Sequence, residues 1–178
     1  MMKDAPKPSI EVGVGPGFFA LAANIDTGLD PSINMLKLAK DRGIDNLILG
    51  VGEHMPLRDS TFGSTLIVVT LCFVDDPLTA LKESYRVLRR GGYIVTCIIP
   101  RDSPWGKYYS DLGVKGHRFY SRAKFYTINE VIEMLEISGF KILDFGGTLS
   151  TSPNEAPRVE EPSTDINGKN FICIKAIK

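Results

Sequence analysis

The run TLIVVTLCFV at Thr65 to Val74 holds ten residues without a charge. It constrains the fold more than any other stretch. A strand this apolar is buried on both faces, which places it inside a parallel sheet covered by helices rather than in a half-wet antiparallel one. Further strands read at Ser9 to Val14, Ile25 to Asp30, Asn46 to Val51 and Tyr93 to Pro100, each short, apolar and bounded by turn residues. Helical patterns fall between them. One covers Phe18 to Ala23. A second starts at Asp30-Pro31, with aspartate as N-cap, shows an apolar face at Ile33, Met35, Leu36, Leu38 and Ala39, and stops at Gly43. A third starts at Asp76-Pro77, spaces Leu78, Leu81, Tyr85 and Leu88 along one side, and stops at Gly91-Gly92. Thr127-x-x-Glu130 is a capping box ahead of Val131, Met134 and Leu135, with Gly139 as the stop. Two strands, Lys141 to Leu149 and Asn170 to Ile177, then flank a Pro/Glu/Ser-rich loop at 151 to 169 with an Asn167-Gly168 turn. The pattern predicts an α/β fold: a doubly wound, mostly parallel seven-stranded sheet closed by an antiparallel C-terminal hairpin.

A chain of 178 residues that is 43% hydrophobic suits one core, so we read residues 1 to 178 as a single domain. Twenty-one Lys and Arg balance twenty-one Asp and Glu, which leaves no basic field to draw nucleic acid or an anionic membrane. A small, near-neutral partner fits better. The N-terminal MMKDAPKPS has no apolar secretion stretch and no run is long enough to cross a bilayer, so the expected location is cytoplasmic. Cys72, Cys97 and Cys173 show no C-x-x-C spacing and are odd in number; they read as small buried hydrophobes, not as a disulfide or a metal site.

In open sheets of this kind ligands bind beyond the carboxyl ends of the strands, where strand order reverses. The turn EVGVGPGFFA at Glu11 to Ala20 lies there, with three glycines that let a ligand approach bare backbone. A phosphate-binding P-loop would need a lysine and a hydroxyl after its last glycine, and Phe18 and Phe19 stand there. A dinucleotide turn would need a glycine where Phe18 stands, and Glu11 would repel a pyrophosphate. A carboxylate two residues before Gly13 suits a ligand that brings a positive charge.

From Glu11 to about Phe140 the chain resembles the class I S-adenosylmethionine-dependent methyltransferases. The resemblance rests on E-x-G-x-G-x-G at Glu11 to Gly17, the acidic strand end GLDPS, GEHMPLRDSTF, and FVDDPLTALKESYRVLRRGGYIV. Together these blocks resemble the branch whose members mostly methylate small molecules. The N/D-P-P-Y/F block of base-amino methylases and the Pro-Cys pair of cytosine C5 methylases are not found after the fourth strand. The resemblance implies S-adenosylmethionine as cofactor, with S-adenosylhomocysteine as product, held by Glu11, Gly13, Gly15, Gly17, Asp30, Pro31, Gly52, Glu53, Thr70 and Leu71. Asp30 would accept hydrogen bonds from the ribose hydroxyls, beside its reading as a helix cap. Met35 would cover the adenine or belong to the core. Val51 stands where the family carries an acid for the adenine amino group, so Glu53 either substitutes for it or is a solvated loop residue. Thr70 and Leu71 would end the fourth strand facing the methionine part. Asp75-Asp76 would orient an acceptor amine, or, at Asp76, cap a helix.

Residues 101 to 126 hold seven of the sixteen aromatics and a +4 charge excess, and read as a lid-like insertion. Its rings would line the pocket or form a satellite cluster, and its Arg and Lys would favour an anionic acceptor or form a solvated face. His117 is its one histidine and the candidate base. The expected function is methyl transfer by in-line displacement to a small-molecule acceptor. A catalytically silent or regulatory S-adenosylmethionine-binding subunit and an NAD-binding protein are the alternatives. Only Met1 to Pro8 precede the first strand, where the family carries a lid helix, so a partner chain, for instance in a homodimer, would complete the lid.

Overall fold

The computed structural model describes residues 1–2, 4–156 and 158–178. Lys3 and Pro157, which fall within the N-terminal and 151 to 169 readings, lie outside the described residues. Seven strands form one sheet: β1 (Ser9–Val12), β2 (Thr27–Asp30), β3 (Asn46–Leu49), β4 (Phe62–Val68), β5 (Leu88–Ile98), β6 (Lys141–Thr148) and β7 (Phe171–Ile177), in the order β3-β2-β1-β4-β5-β7-β6. The first five pair in parallel, and β7 runs antiparallel between β5 and β6. The doubly wound sheet with its antiparallel close is the fold expected from the sequence. The chain steps outward from β1 to β3, returns to β4 and proceeds the other way. A crevice therefore opens between the ends of β1 and β4.

Helices α1 (Phe18–Ala22), α2 (Ile33–Asp41), α3 (Pro77–Val87), α4 (Pro104–Val114) and α5 (Ile128–Ile137) complete the fold. Two apolar layers hold it together. On one side of the sheet Leu81 and Val87 of α3 and Val131 and Leu135 of α5 bury against Ile10, Val12, Ile67 and Ile94. On the other, Ala20 of α1 and Leu36 and Ala39 of α2 cover Leu66, Val68 and Val95. Strands whose alternate side chains serve both layers must be apolar throughout, which accounts for the run at Thr65.

Several boundaries differ from the sequence reading. β4 starts at Phe62 and ends at Val68, because Val69 turns out of the sheet with φ 49, a conformation rare for a β-branched residue. Thr70 and Leu71 therefore lie beyond the strand. Helix α2 is capped by Ser32, whose hydroxyl accepts from the Met35 N–H, and not by Asp30. Helix α3 keeps its Asp76 cap but stops at Val87, since Leu88 is wholly buried in extended backbone opposite Phe62. Helix α4 was not read from the sequence; its glycines at 106 and 113 dilute the helical pattern, although Ser103-Pro104 starts it with the same chemistry as Asp76-Pro77. The cysteine reading is corrected too. Register sets Cys97 of β5 opposite Cys173 of β7, where they form a disulfide, while Cys72 remains a buried thiol that desolvation pushes up to about 12. Among the described residues no helix is long and apolar enough to cross a membrane.

Candidate functional site

At the crevice lies a cavity of about 880 Å³. Its floor is the glycine turn. Thr70 packs so closely on Gly13 that a Cβ there would sit 2.3 Å from its methyl carbon, whereas a Cβ at Gly15 would meet nothing within 4 Å. Gly13 is bare because a side chain has no room, and Gly15 presents open backbone to whatever enters. The Thr70 hydroxyl donates to the Val68 carbonyl at 3.0 Å, which holds that contact in place.

Asp30 ends β2 in the cavity wall, almost wholly buried. One carboxylate oxygen accepts from the Gly15 N–H and the other from the Ser32 N–H, both at 2.8 Å. A carboxylate has about four lone-pair positions, so each oxygen keeps acceptor capacity after these bonds. The residue that sequence alone offers as a cap thus orients the glycine turn and can still hold a pair of hydroxyls. Pro31 follows it in the wall, and Met35 lies there too, exposed on the cavity side rather than sunk in the core.

The opposite wall is the loop after β3. Gly52 is tucked against Val12, and Val51 and His54 flank it at the surface. Glu53 is neither free nor merely solvated. One of its oxygens accepts from the Asp75 N–H at 2.8 Å and the Asp76 N–H at 3.3 Å, tying this loop to the one after β4. Arg86 braces the same loop from α3 through Glu83, Asp59 and the Leu57 carbonyl.

Three of the cofactor residues proposed from the sequence stand outside the wall. Leu71 is only 1% exposed, in the core beneath. Gly17 is the N-cap of α1, packed against Ala39 and Ile44 of the α2 region. Glu11 sits behind the turn at 1% exposure, with one carboxyl oxygen lacking any partner. Burial pushes its carboxyl up to about 8, against the Ala20 N–H that stabilises the anion, and the Asp30 charge raises it further. At neutral pH Glu11 is therefore largely protonated, and the negative potential in the cavity comes from Asp30, Glu53, Asp75 and Asp76.

The 101 to 126 segment mostly builds a satellite cluster. Tyr109 stacks on Tyr120 at 4.5 Å between centroids, Trp105 packs on both Tyr108 and Tyr109, and the indole N–H donates to the Thr151 carbonyl at 2.7 Å. Only Phe119 of this segment reaches the cavity wall. His117 does not: its Nδ1 accepts from the Phe119 N–H at 3.3 Å, and its ring lies 4.7 Å from that of Tyr120. The segment's six Arg and Lys are exposed, as a solvated face would be, and none lines the cavity. His54 and Phe73 are wall residues that sequence reading missed; the neighbours Glu53 and Asp75 were the signal.

This geometry can be set beside known proteins. Residues 10–96 match the family described as Methyltransferase domain. A solved S-adenosylmethionine-dependent methyltransferase of Thermotoga maritima, described as a possible histamine N-methyltransferase, is 36% identical with a TM-score of 0.90, covering 96% of this chain and 81% of that one. An uncharacterized protein of Methanocaldococcus jannaschii is 40% identical over 169 residues, 95% of this chain and 81% of its own length. An uncharacterized Mycobacterium tuberculosis protein is 36% identical over 96% of this chain, which spans 60% of that relative's length. With a seven-stranded sheet in this order and an oriented acid beside bare glycine at its switch point, the chain belongs to the class I S-adenosylmethionine-dependent methyltransferases.

Proposed function

We propose that this chain binds S-adenosylmethionine in the crevice cavity and transfers its methyl group to a small-molecule acceptor. The observation that carries the reading is the carboxylate of Asp30, fixed by the Gly15 and Ser32 N–H groups at the edge of exposed glycine backbone. It can accept from two ribose hydroxyls, while Gly52 and Glu53 would border the base, Met35 its face, and Gly13, Gly15 and Thr70 the methionine part. Glu11 and Gly17 would act from behind, by holding the turn and α1.

The charge of the wall supports a cationic cofactor. Its acids, Asp30, Glu53, Asp75 and Asp76, face no Lys or Arg within the described lining, so a sulfonium is attracted where a pyrophosphate is repelled. The cofactor brings an activated methyl carbon. What the chain must add is alignment of the acceptor's lone pair with that carbon and exclusion of water. Little acid-base machinery is required, in keeping with a wall that among the described residues holds one histidine, His54.

Titration calorimetry with S-adenosylhomocysteine and with NAD tests the cofactor. Binding of the first and not the second is expected; the converse would refute the reading. Turnover of labelled methyl donor with pooled amines, phenols, thiols and carboxylates then separates an enzyme from a silent binding subunit.

A further inference from the structure

A second cavity of about 560 Å³ lies on the α1 face of the sheet, with Met1 and Met2 in its lining. Its floor is made of alternate residues that point to one face: Leu66 and Val68 of β4, Val95 and Cys97 of β5, Phe171 and Cys173 of β7. The end of α1 forms one wall and Gly147 and Thr148 of β6 the other. No charged side chain lines it among the described residues. Phe19 and Val68 belong to this cavity and to the cofactor cavity alike, so the two chambers adjoin.

We propose that this second chamber holds the methyl acceptor, and that the acceptor is a molecule with an aromatic or alkyl body that carries no positive charge. The inference rests on the reading of the first cavity as the cofactor site. Three features lead to it. The chamber's volume lies within the range of small-molecule sites. Among the described residues the lining carries no charged side chain and the charge it holds is the Met1 α-ammonium, so an ammonium entering it would lose its hydration without meeting a counter-ion. The shared residues Phe19 and Val68 put its inner end beside the turn where the methionine part lies, which is where the methyl group has to be met. The transfer balances simply. A lone pair of the acceptor's hydroxyl, thiol or neutral amine forms the bond to the methyl carbon, the carbon–sulfur pair stays on sulfur as a neutral thioether, and the acceptor's proton passes to solvent.

The neutral fluorophore N-phenyl-1-naphthylamine tests the chamber in the full chain saturated with S-adenosylhomocysteine. Ala23→Trp and Thr148→Trp each fill it from opposite walls, and circular dichroism melts establish which of them folds. Either folded variant is expected to weaken the fluorophore at least tenfold while S-adenosylhomocysteine affinity stays within twofold, and to slow methylation of 2-naphthol in parallel, with histamine a poor acceptor throughout. Unchanged fluorophore affinity in a folded variant overturns the proposal, as does one-for-one displacement of the fluorophore by S-adenosylhomocysteine, or methylation of histamine that the variants do not affect. If the wild type fails to bind S-adenosylhomocysteine at all, the cofactor reading fails first, and the fluorophore titration without it still reports whether the chamber takes an apolar guest.

Discussion

The two adjoining cavities are built from opposite materials. The larger one is bounded by backbone and acids that come from short stretches: the turn at Gly13 to Gly15, the end of β2 at Asp30, the loop at Gly52 and Glu53. The smaller one has an apolar floor assembled from β4, β5 and β7, whose residues lie up to about a hundred positions apart. The first is specified by local geometry and so leaves a motif. The second exists only because the sheet brings distant strands together, and it leaves none.

Glu11, buried behind the glycine turn, supports the largest expected effect. The Glu11 carboxyl is raised from 4.5 to about 8 by burial, so between those values the folded chain holds a proton that the unfolded chain has released. Its contribution is complete below the unfolded value and is lost as pH rises through the folded one, a fall on the order of 5 kcal/mol. Urea unfolding of wild type and Glu11→Gln at pH 5 to 8 should show a gap that widens with pH. Parallel curves would mean that the carboxyl is hydrated. The acids held below their usual range, such as Asp26, Glu83 and Glu160, act only at lower pH and do not blur this window.

Next comes the contact that keeps the turn bare. Gly13→Ala drives a Cβ into Thr70 at φ +74, and overpacking of this kind costs about 2–3 kcal/mol. Calorimetry should find S-adenosylhomocysteine bound about 30- to 100-fold more weakly, with fluorophore binding in the apolar chamber retained. Equal loss in both chambers would erase the distinction between them.

Asp30→Ala removes two backbone partners and the proposed ribose acceptor together. A charge-assisted hydrogen bond is worth about 1.5–3 kcal/mol, so affinity should fall by about 10- to 100-fold. Asp30→Asn, which keeps the shape and one acceptor oxygen, should lie between wild type and alanine.

The mildest test concerns the floor of the apolar chamber. In denaturant without reductant, a thiol reagent should find one reactive cysteine, Cys72, and in reductant all three, because Cys97 and Cys173 are joined across β5 and β7. Three thiols in both conditions would remove the bridge from that floor.

How much of this was legible follows the same division. Asp76-Pro77, Thr127-x-x-Glu130 and the glycine turn act within a few residues, and the structure places helix starts and the crevice where they indicate. Asp30, which lies in the crevice wall, was misread as a cap, since sequence does not tell which of Asp30 and Ser32 turns its oxygen to the helix. Leu88 reads as one more helical leucine because its partner Phe62 is 26 positions away in the chain. The Arg and Lys of 101 to 126 show a charge excess without showing that they face outward.

Sequence by itself determined the order of elements, the doubly wound class and the glycine turn at the crevice, because periodicity, capping and glycine geometry are short-range. Tertiary structure alone decided that Glu11 is buried and largely protonated, that Glu53 ties two loops, that Cys97 meets Cys173, and that an apolar chamber adjoins the crevice. Each of those depends on what the folded sheet sets beside a residue: desolvation and strand register arise from neighbours that the chain order does not contain.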